Sequence, residues 1–321
     1  MKFQSYFPPF GLSIAILVTA LPVLTCVYYV TEGNDKGFTH FIFDFDGTIT
    51  TEDTIRVIAN IGIAHQQTQG KDFKGIWNEI VDAYLTDSNK HHIEYTPNES
   101  ERTTLKDEIR FLRSLIDVEL RSFNRVSNSG LFAGISKEKW VNEGKVSLLS
   151  GKVEIRKGFK ELVEKIEMQN GVWGIVSVSF SKDFIRGVLE QCLGKNIDIP
   201  IIANSVDEDG IIRGHLLEET GLKTILATSD TKHLAMVKLL ESWRTDVTAK
   251  AVYYGDSPTD IECLCSPAIK GGVVMGSNGN TVLLRTLAKY KVPRLVGTWT
   301  PDFEKNSDIG LEQSVHGTSF V

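Results

Sequence analysis

Cysteine is scarce in this chain of 321 residues, which holds four: Cys26, Cys192, Cys263 and Cys265. Cys26 lies in an apolar segment, and Cys263 and Cys265 are too close in sequence for an easy bridge, so no disulfide framework is encoded. No further Cys or His stands at zinc-ligand spacing, which argues against a structural zinc site. All four are read as ordinary thiols that pack as small hydrophobes. Clustered positive charge is also missing. The formal net charge is -6 and no Lys/Arg run occurs, which argues against a nucleic-acid footprint. There is no long acidic tail, no internal repeat and no low-complexity tract. With 27 Gly and 9 Pro, the composition gives no sign of disorder. What is present is the 41% hydrophobic and 24% charged content of an ordinary globular core. The length suits one large domain or two small ones.

One long uncharged run stands apart, FGLSIAILVTALPVLTCVYYV at Phe10–Val30. It is long enough to cross a bilayer as a helix. It exceeds the apolar centre of most cleavable signals, and no small-x-small cleavage site follows it. Pro22 would kink such a helix, which membrane helices tolerate, and Tyr28 and Tyr29 stand where an interfacial belt would be. The expectation is membrane attachment through residues 10–30 as a single-pass N-terminal anchor. The alternatives are a secreted or lumenal protein after signal cleavage, and a cytoplasmic one in which the segment is buried or artefactual. Lys2 precedes the run and Glu32, Asp35 and Lys36 follow it, a weak topology signal that leans towards a lumenal or external domain. One sequon, Asn98-Glu99-Ser100, is compatible with that side.

Past residue 38 the pattern becomes α/β. THFIFDFD reads as a short buried strand. Residues 54–150 then read as amphipathic helices with no comparable strand. In TLKDEIRFLRSLIDVELRSF, Leu105, Ile109, Leu112, Ile116 and Leu120 recur at helical spacing and are expected to form helix core. After Gly151 strand and helix alternate: VWGIVSVSF, IPIIANS, KAVYYGDS, GGVVMG and VPRLVG read as strands. GFKELVEKIEMQNG, SKDFIRGVLEQCLG with Ser181 as N-cap, and TKHLAMVKLLESW read as helices, and SPTDIECL starts another. VDEDGIIRGHL carries a hairpin signal. Strands separated by helices imply a parallel sheet with right-handed crossovers, and the helical block is an insertion after the first strand. The expected organisation is an N-terminal hydrophobic segment and linker over 1–38, an α/β core over 39–53 plus 151–321, and a helical insertion over 54–150. The polar tail after Gly297 is expected to cover the surface or fray.

The chemistry starts at FIFDFDGTIT, Phe41–Thr50, where Asp44 and Asp46 interrupt an apolar run. A carboxylate is costly to bury unless something pairs with it. In an open parallel sheet ligands bind beyond the carboxyl ends of the strands, and polar candidates fall at such ends or at helix starts: Asp44 and Asp46, Ser177, Lys232, and Asp256 with Asp260. Taken singly each has a plain structural reading, as turn acids before Gly47, a satisfied buried hydroxyl, a solvated helix lysine, a helix cap, or a first-turn acid favoured by the helix dipole. Taken together they fit one reaction. A divalent cation between Asp44, Asp256 and a phosphate oxygen removes the repulsion between carboxylate and phosphoryl group, and Mg2+ suits such oxygen ligands. Asp44 can attack phosphorus. Asp46 can protonate the leaving alcohol and then take a proton from water. Ser177 and Lys232 can donate to the remaining phosphate oxygens.

These residues resemble the haloacid dehalogenase superfamily on its phosphatase side. DFDGTIT at Asp44–Thr50 looks like its first motif, IVS at Ile175–Ser177 its second, Lys232 in SDTKHLAMVK its third, and GDSPTD at Gly255–Asp260 its fourth. The resemblance implies a Rossmann-like doubly wound core with the inserted helices as a mobile lid. It further implies Asp44 as nucleophile, Asp46 as acid/base, and Mg2+ held by Asp44, the backbone carbonyl of Asp46 and Asp256. Asp260 and Thr48 take supporting roles. Within the superfamily the chain is most similar to phosphoserine-phosphatase-like enzymes. KVEIRKGFKELVEKI and IIANSVDEDGIIRGHL carry part of that likeness. Asp53 stands where those enzymes carry a glutamate that binds the substrate ammonium, and Val178 and Ser179 replace a Gly-Gly pair. Both departures argue against phosphoserine. The expected function is a Mg2+-dependent phosphomonoester hydrolase acting on a small phosphorylated metabolite through an aspartyl-phosphate. The alternatives are a phosphomutase and a catalytically silent, membrane-tethered binding module. Haloacid dehalogenation itself needs neither metal nor second acid, so Asp46 and Asp256 argue against it. His91, His92, Glu99, Glu101 and Arg102 are expected on the solvated surface.

Overall fold

The computed structural model describes residues 38–217, 222–243, 250–276, 281–292 and 296–304. Its centre is a six-stranded sheet in which each paired neighbour runs parallel. β1 (His40–Phe43) is followed by the helical insertion α1 (Ile55–Thr68), α2 (Lys74–Glu94), α3 (Leu105–Ser114), α4 (Ile116–Ser129) and α5 (Lys137–Leu149). The chain then returns through α6 (Phe159–Met168) to β2 (Val172–Val176), α7 (Lys182–Leu193) and β3 (Ile201–Ile202). Two small antiparallel pairs follow, β4 (Ser205–Val206) with β5 (Ile212–Arg213), and β6 (His215–Leu217) with β7 (Leu222–Thr224). Last come α8 (Ser229–Ser242), β8 (Ala251–Gly255), α9 (Ile261–Leu264), β9 (Gly271–Met275), α10 (Val282–Lys289) and β10 (Val296–Thr300). The order β10-β9-β8-β1-β2-β3 reverses at β1, which puts the topological switch point beside the first strand. This is the expected α/β, Rossmann-like sheet with a helical insertion. The hairpin signal at VDEDG is realised as β4–β5.

The strands are nearly continuous apolar runs because both faces are covered. Successive side chains alternate between two cores. Phe41, Phe43, Ile175, Tyr254 and Val273 face α6 and α7, while Ile42, Val176, Tyr253 and Val274 face α8, α9 and α10. Local signals set the helix ends. The Ser181 hydroxyl accepts the Phe184 N–H at 3.2 Å, as expected, and Thr104 and Asp107 close a capping box on α3.

The insertion is built onto both cores. The apolar stripe expected along one helix is divided at Leu115, where α3 ends and α4 begins. Leu105, Ile109 and Leu112 pack with Met236 and Leu239 of α8, whereas Ile116 packs with the opposite core. Arg113 pairs through Nε with Glu262 of α9 at 3.0 Å, and Glu262 also accepts the Ser229 hydroxyl at 2.7 Å. Two expectations are corrected here. Arg102 is buried, not surface: it pairs with Glu108 at 2.8 Å and lies over the Phe111 ring, so its charge is matched and its stem packed. His91, expected in solvent, is half-buried and bonded to Ser114 Oγ at 2.8 Å, with His92 exposed but against Phe111. The start of the tail is corrected as well, while residues 305–321 lie outside the described residues. Thr298–Thr300 continue β10, and Phe303 is fully buried against Phe43, Phe159 and Tyr254 because three aromatic rings line its site. The span at 10–30 lies outside the described residues, and among those described no helix is long and apolar enough to cross a membrane.

At its far end the insertion is joined to the core by two glycines. A Cβ on Gly144 would stand 2.3 Å from the Phe184 carbonyl oxygen, and one on Gly187 would stand 1.9 Å from that of Val141. α5 and α7 therefore touch backbone to backbone. Helix propensity alone makes Gly187→Ala favourable by about 1 kcal/mol. The crossing reverses the sign, and we expect a net loss of about 1–3 kcal/mol by urea denaturation. A stabilised variant would mean the two helices can separate freely.

Candidate active site

Three parallel strands deliver polar residues to one edge of the sheet. Asp44 follows β1, Ser177 follows β2 and Asp256 follows β8. β1 lies between the other two, with Phe43 level with Ile175 and Tyr254. The Asp44 N–H donates to Tyr254 O at 2.9 Å and the Ser177 N–H to Ile202 O at 3.0 Å, so both residues are fixed as extensions of the ladder. Beyond Asp44 the chain wraps around one carbonyl: the N–H groups of Thr48, Ile49 and Thr50 all point at Phe45 O. Phe45 is buried and anchors the turn. Gly47 sits at φ 69°, and a Cβ there would lie 2.3 Å from Asp256 Oδ2. Only glycine meets both demands.

Lys232, in the first turn of α8, is fully buried and bridges the acids, 2.8 Å from Asp44 Oδ1 and 2.6 Å from Asp260 Oδ1. Burial alone would strip its proton, but Asp260 and Asp44 outweigh it and hold the ammonium charged. Asp260 is saturated. Tyr253 OH donates to Oδ1 at 2.6 Å, and the N–H groups of Asp256 and Ser257 donate to Oδ2 at 3.1 and 3.0 Å. Asp44 differs. Apart from Lys232 on Oδ1, no described residue bonds its carboxylate, and burial pushes its pKa well up. Among the described residues the Asp256 carboxylate accepts only the Thr48 hydroxyl, on Oδ1 at 3.1 Å; burial and then the charge of Asp260 push it up to about 7. Asp46, half-buried, accepts the Thr54 N–H at 2.9 Å and hydroxyl at 2.6 Å on Oδ1. Burial and then the charge of Asp53 raise it to about 6.

The cluster therefore has more negative charge than Lys232 can balance. Asp44, Asp256 and Asp260 each offer an oxygen within 4.8 Å of the others. Since Asp260 is already saturated, the free oxygens belong to Asp44 and Asp256. Hard, under-coordinated carboxylate oxygens beside uncompensated charge suit a hard divalent cation.

The expected residues are brought together unequally. Asp44, Asp256, Asp260 and Lys232 form one bonded cluster with Thr48 at its side. Ser177 is fully buried at the adjoining strand end, where its Oγ accepts the Ser179 N–H at 3.1 Å. Asp53 is exposed and accepts the Ile55 N–H at 2.7 Å, an Asx turn one residue ahead of the Thr54 cap. Several partners escaped sequence reading. Thr54 had a signal, as a hydroxyl residue just before a helix. Tyr253 had none, since an aromatic in a strand reads as core. Arg156 had only a weak one, a lone cation before Gly158. Ser179 Oγ is buried without a partner among the described residues.

Comparison with known proteins adds to this geometry. A curated relative in Schizosaccharomyces pombe, "CTO1 family protein C17G9.12c", is 26% identical over 250 residues, covering 74% of this chain and 82% of that protein. A substrate-bound phosphoserine phosphatase complex aligns at 16% identity and TM-score 0.48, over 84% of this chain and 97% of that one. A phosphoserine phosphohydrolase-like protein from Francisella tularensis aligns at 15% identity and TM-score 0.43, over 84% and 99%. The family model for haloacid dehalogenase-like hydrolases matches residues 38–264, well over half of the chain, from two residues ahead of β1 to the end of α9. That stretch takes in both acid-bearing loops and the lysine between them, and the chain belongs to the haloacid dehalogenase-like hydrolases.

Proposed function

We propose that the protein is a Mg2+-dependent phosphomonoester hydrolase that acts on a small phosphorylated metabolite through an aspartyl-phosphate on Asp44. The observation that carries this reading is the Asp44 carboxylate. It is buried, oriented by Lys232 through one oxygen, and next to the under-coordinated Asp256. A carboxylate kept in that state is a nucleophile rather than a structural acid. Asp44, the Asp46 carbonyl and Asp256 would hold Mg2+, which when bound offsets the repulsion between the carboxylates and an incoming phosphate.

In this reading an Asp44 oxygen bonds to phosphorus as the bond to the leaving alkoxide breaks. Asp46 gives its proton to that oxygen, which departs as an alcohol. Its elevated pKa suits a group that must carry a proton near neutrality, and Thr54 holds it in register. Asp46 then takes a proton from water as the water oxygen attacks phosphorus, releasing inorganic phosphate and restoring Asp44. Lys232 and the Ser177 hydroxyl steady the phosphoryl oxygens. Residues 54–150 serve as the cap that excludes water during the chemistry. The exposed Asp53 and the Val178–Ser179 pair favour a phosphate ester other than phosphoserine.

Mg2+-dependent release of phosphate from para-nitrophenyl phosphate tests the reading. Asp44→Asn should abolish it, and Asp46→Asn should slow it by about 10²–10⁴-fold. Asp44→Asn protein turning over at the wild-type rate would sink the proposal. Lys232→Met leaves buried acids without their cation and should cost about 3–5 kcal/mol in urea denaturation. A solvated helix lysine would change stability by no more than about 0.5 kcal/mol.

A further inference from the structure

Arg156 lies between α5 and α6, outside the acid cluster, and is 6% exposed. A buried guanidinium usually answers a carboxylate or phosphate. Among the described residues its guanidinium hydrogen bonds go to two main-chain carbonyls, with the carboxylates of Asp256 and Asp302 acting on its charge without bonding it. Nε and Nη2 converge on Gly47 O at 3.2 and 2.7 Å, and Nη1 donates to Pro301 O at 3.0 Å. Gly47 is held from the other side too, its N–H donating to Thr50 Oγ1 at 3.1 Å. In a trans peptide the carbonyl of one residue points opposite to the N–H of the next. The Gly47 N–H on Thr50 therefore sets the direction of the Asp46 carbonyl, while Arg156 holds the peptide that follows, Gly47–Thr48. The same clamp presses the Gly47 Cα against the Asp256 carboxylate, where no side chain would fit.

The third bond reaches outside the stretch matched by the family model, which ends at residue 264. Pro301 follows β10, and its segment is seated by the Phe303 N–H on Lys157 O at 2.8 Å and by Phe303 buried in the core. It is seated by Gly158 as well, where a Cβ would meet Glu304 N at 2.4 Å. Arg156 thus joins the loop of Asp44–Gly47 to the end of the sixth strand.

Resting on the metal reading of the proposed function, we propose that Arg156 is a positioning residue for the divalent-cation site: it sets cation affinity by holding the Gly47 turn against the Asp256 carboxylate. It touches neither substrate nor cation. A lysine can keep the positive charge but cannot span both carbonyls with a planar fork.

Mn2+ binding to the full chain, followed by electron paramagnetic resonance of the free ion, reads this without turnover. Arg156→Met and Arg156→Lys should each bind Mn2+ about 10- to 100-fold more weakly than wild type, the range for loss of an outer-sphere partner. Phosphate release should recover as Mn2+ is raised, with the substrate KM at saturating metal little changed. Near-ultraviolet circular dichroism checks folding, and if Arg156→Met does not fold, Arg156→Lys carries the test. Wild-type Mn2+ affinity in a folded variant overturns the inference. So does full affinity in Arg156→Lys alone, which would assign the effect to charge rather than position. Wild-type protein that binds no Mn2+ overturns the metal reading itself and this inference with it.

Discussion

The molecule is organised around one ammonium group. Lys232 is wholly out of water, and the free energy lost by desolvating it is recovered only if Asp44 and Asp260 reach it together. Those acids come from widely separated parts of the chain, one after β1 and one after β8, and the lysine comes from a helix packed on the opposite core from α6 and α7. The contacts form only when β1 and β8 are adjacent and parallel. The charge cluster is therefore both a product of the sheet order and a penalty on any other order. Asp260 completes the arrangement by being fully occupied: with lysine, tyrosine and two N–H groups on it, it has nothing left to offer a ligand, and within the cluster the free carboxylate oxygens are those of Asp44 and Asp256.

The insertion is not a loose appendage on this core. It is attached by α5 against α7 through paired glycines, by α3 against α8 and α9 through apolar packing and the Arg113–Glu262 pair, and by Phe123 and Phe132 against Phe180 of the loop after Ser177. Two of these attachments touch a part of the chain beside the site, since α8 carries Lys232 and Phe180 lies in the loop after Ser177. Arg113 is especially direct, since Glu262 also binds Ser229 and so links the helix of Lys232 to the turn of Asp260. Packing of the insertion and geometry of the charge cluster are one mechanical system.

Much of this was legible in sequence because it is local. Apolar runs marked β1, β2, β8 and β9, and acids at their ends marked the site, since position along a parallel strand already says which end faces a ligand. The unreadable parts depend on partners far away. Whether the stripe from Leu105 to Ile116 served one core or two could not be read from period alone, because both sides of a bent helix keep the same spacing. Arg102 looked solvated because Glu108 and Phe111, which bury it, are fixed only once α3 is docked. The polar letters after Gly297 hid Phe303, a single aromatic whose pocket is built by Phe43, Phe159 and Tyr254. Asp53, singled out by its place in the motif, is exposed and accepts the Ile55 N–H, a local bond that the motif did not announce.

The close approach of Gly47 to Asp256 bears on how kindred chains should be read. Acids at the ends of β1 and β8 can occur in many turns. What lets these two loops occupy the same space is an atom that is missing, the β-carbon of residue 47. A homologue that kept each aspartate but carried alanine there would hold the loops apart and forfeit the shared hollow. The smallest residue of the motif is thus a sharper mark of a working enzyme than the carboxylates that draw the eye.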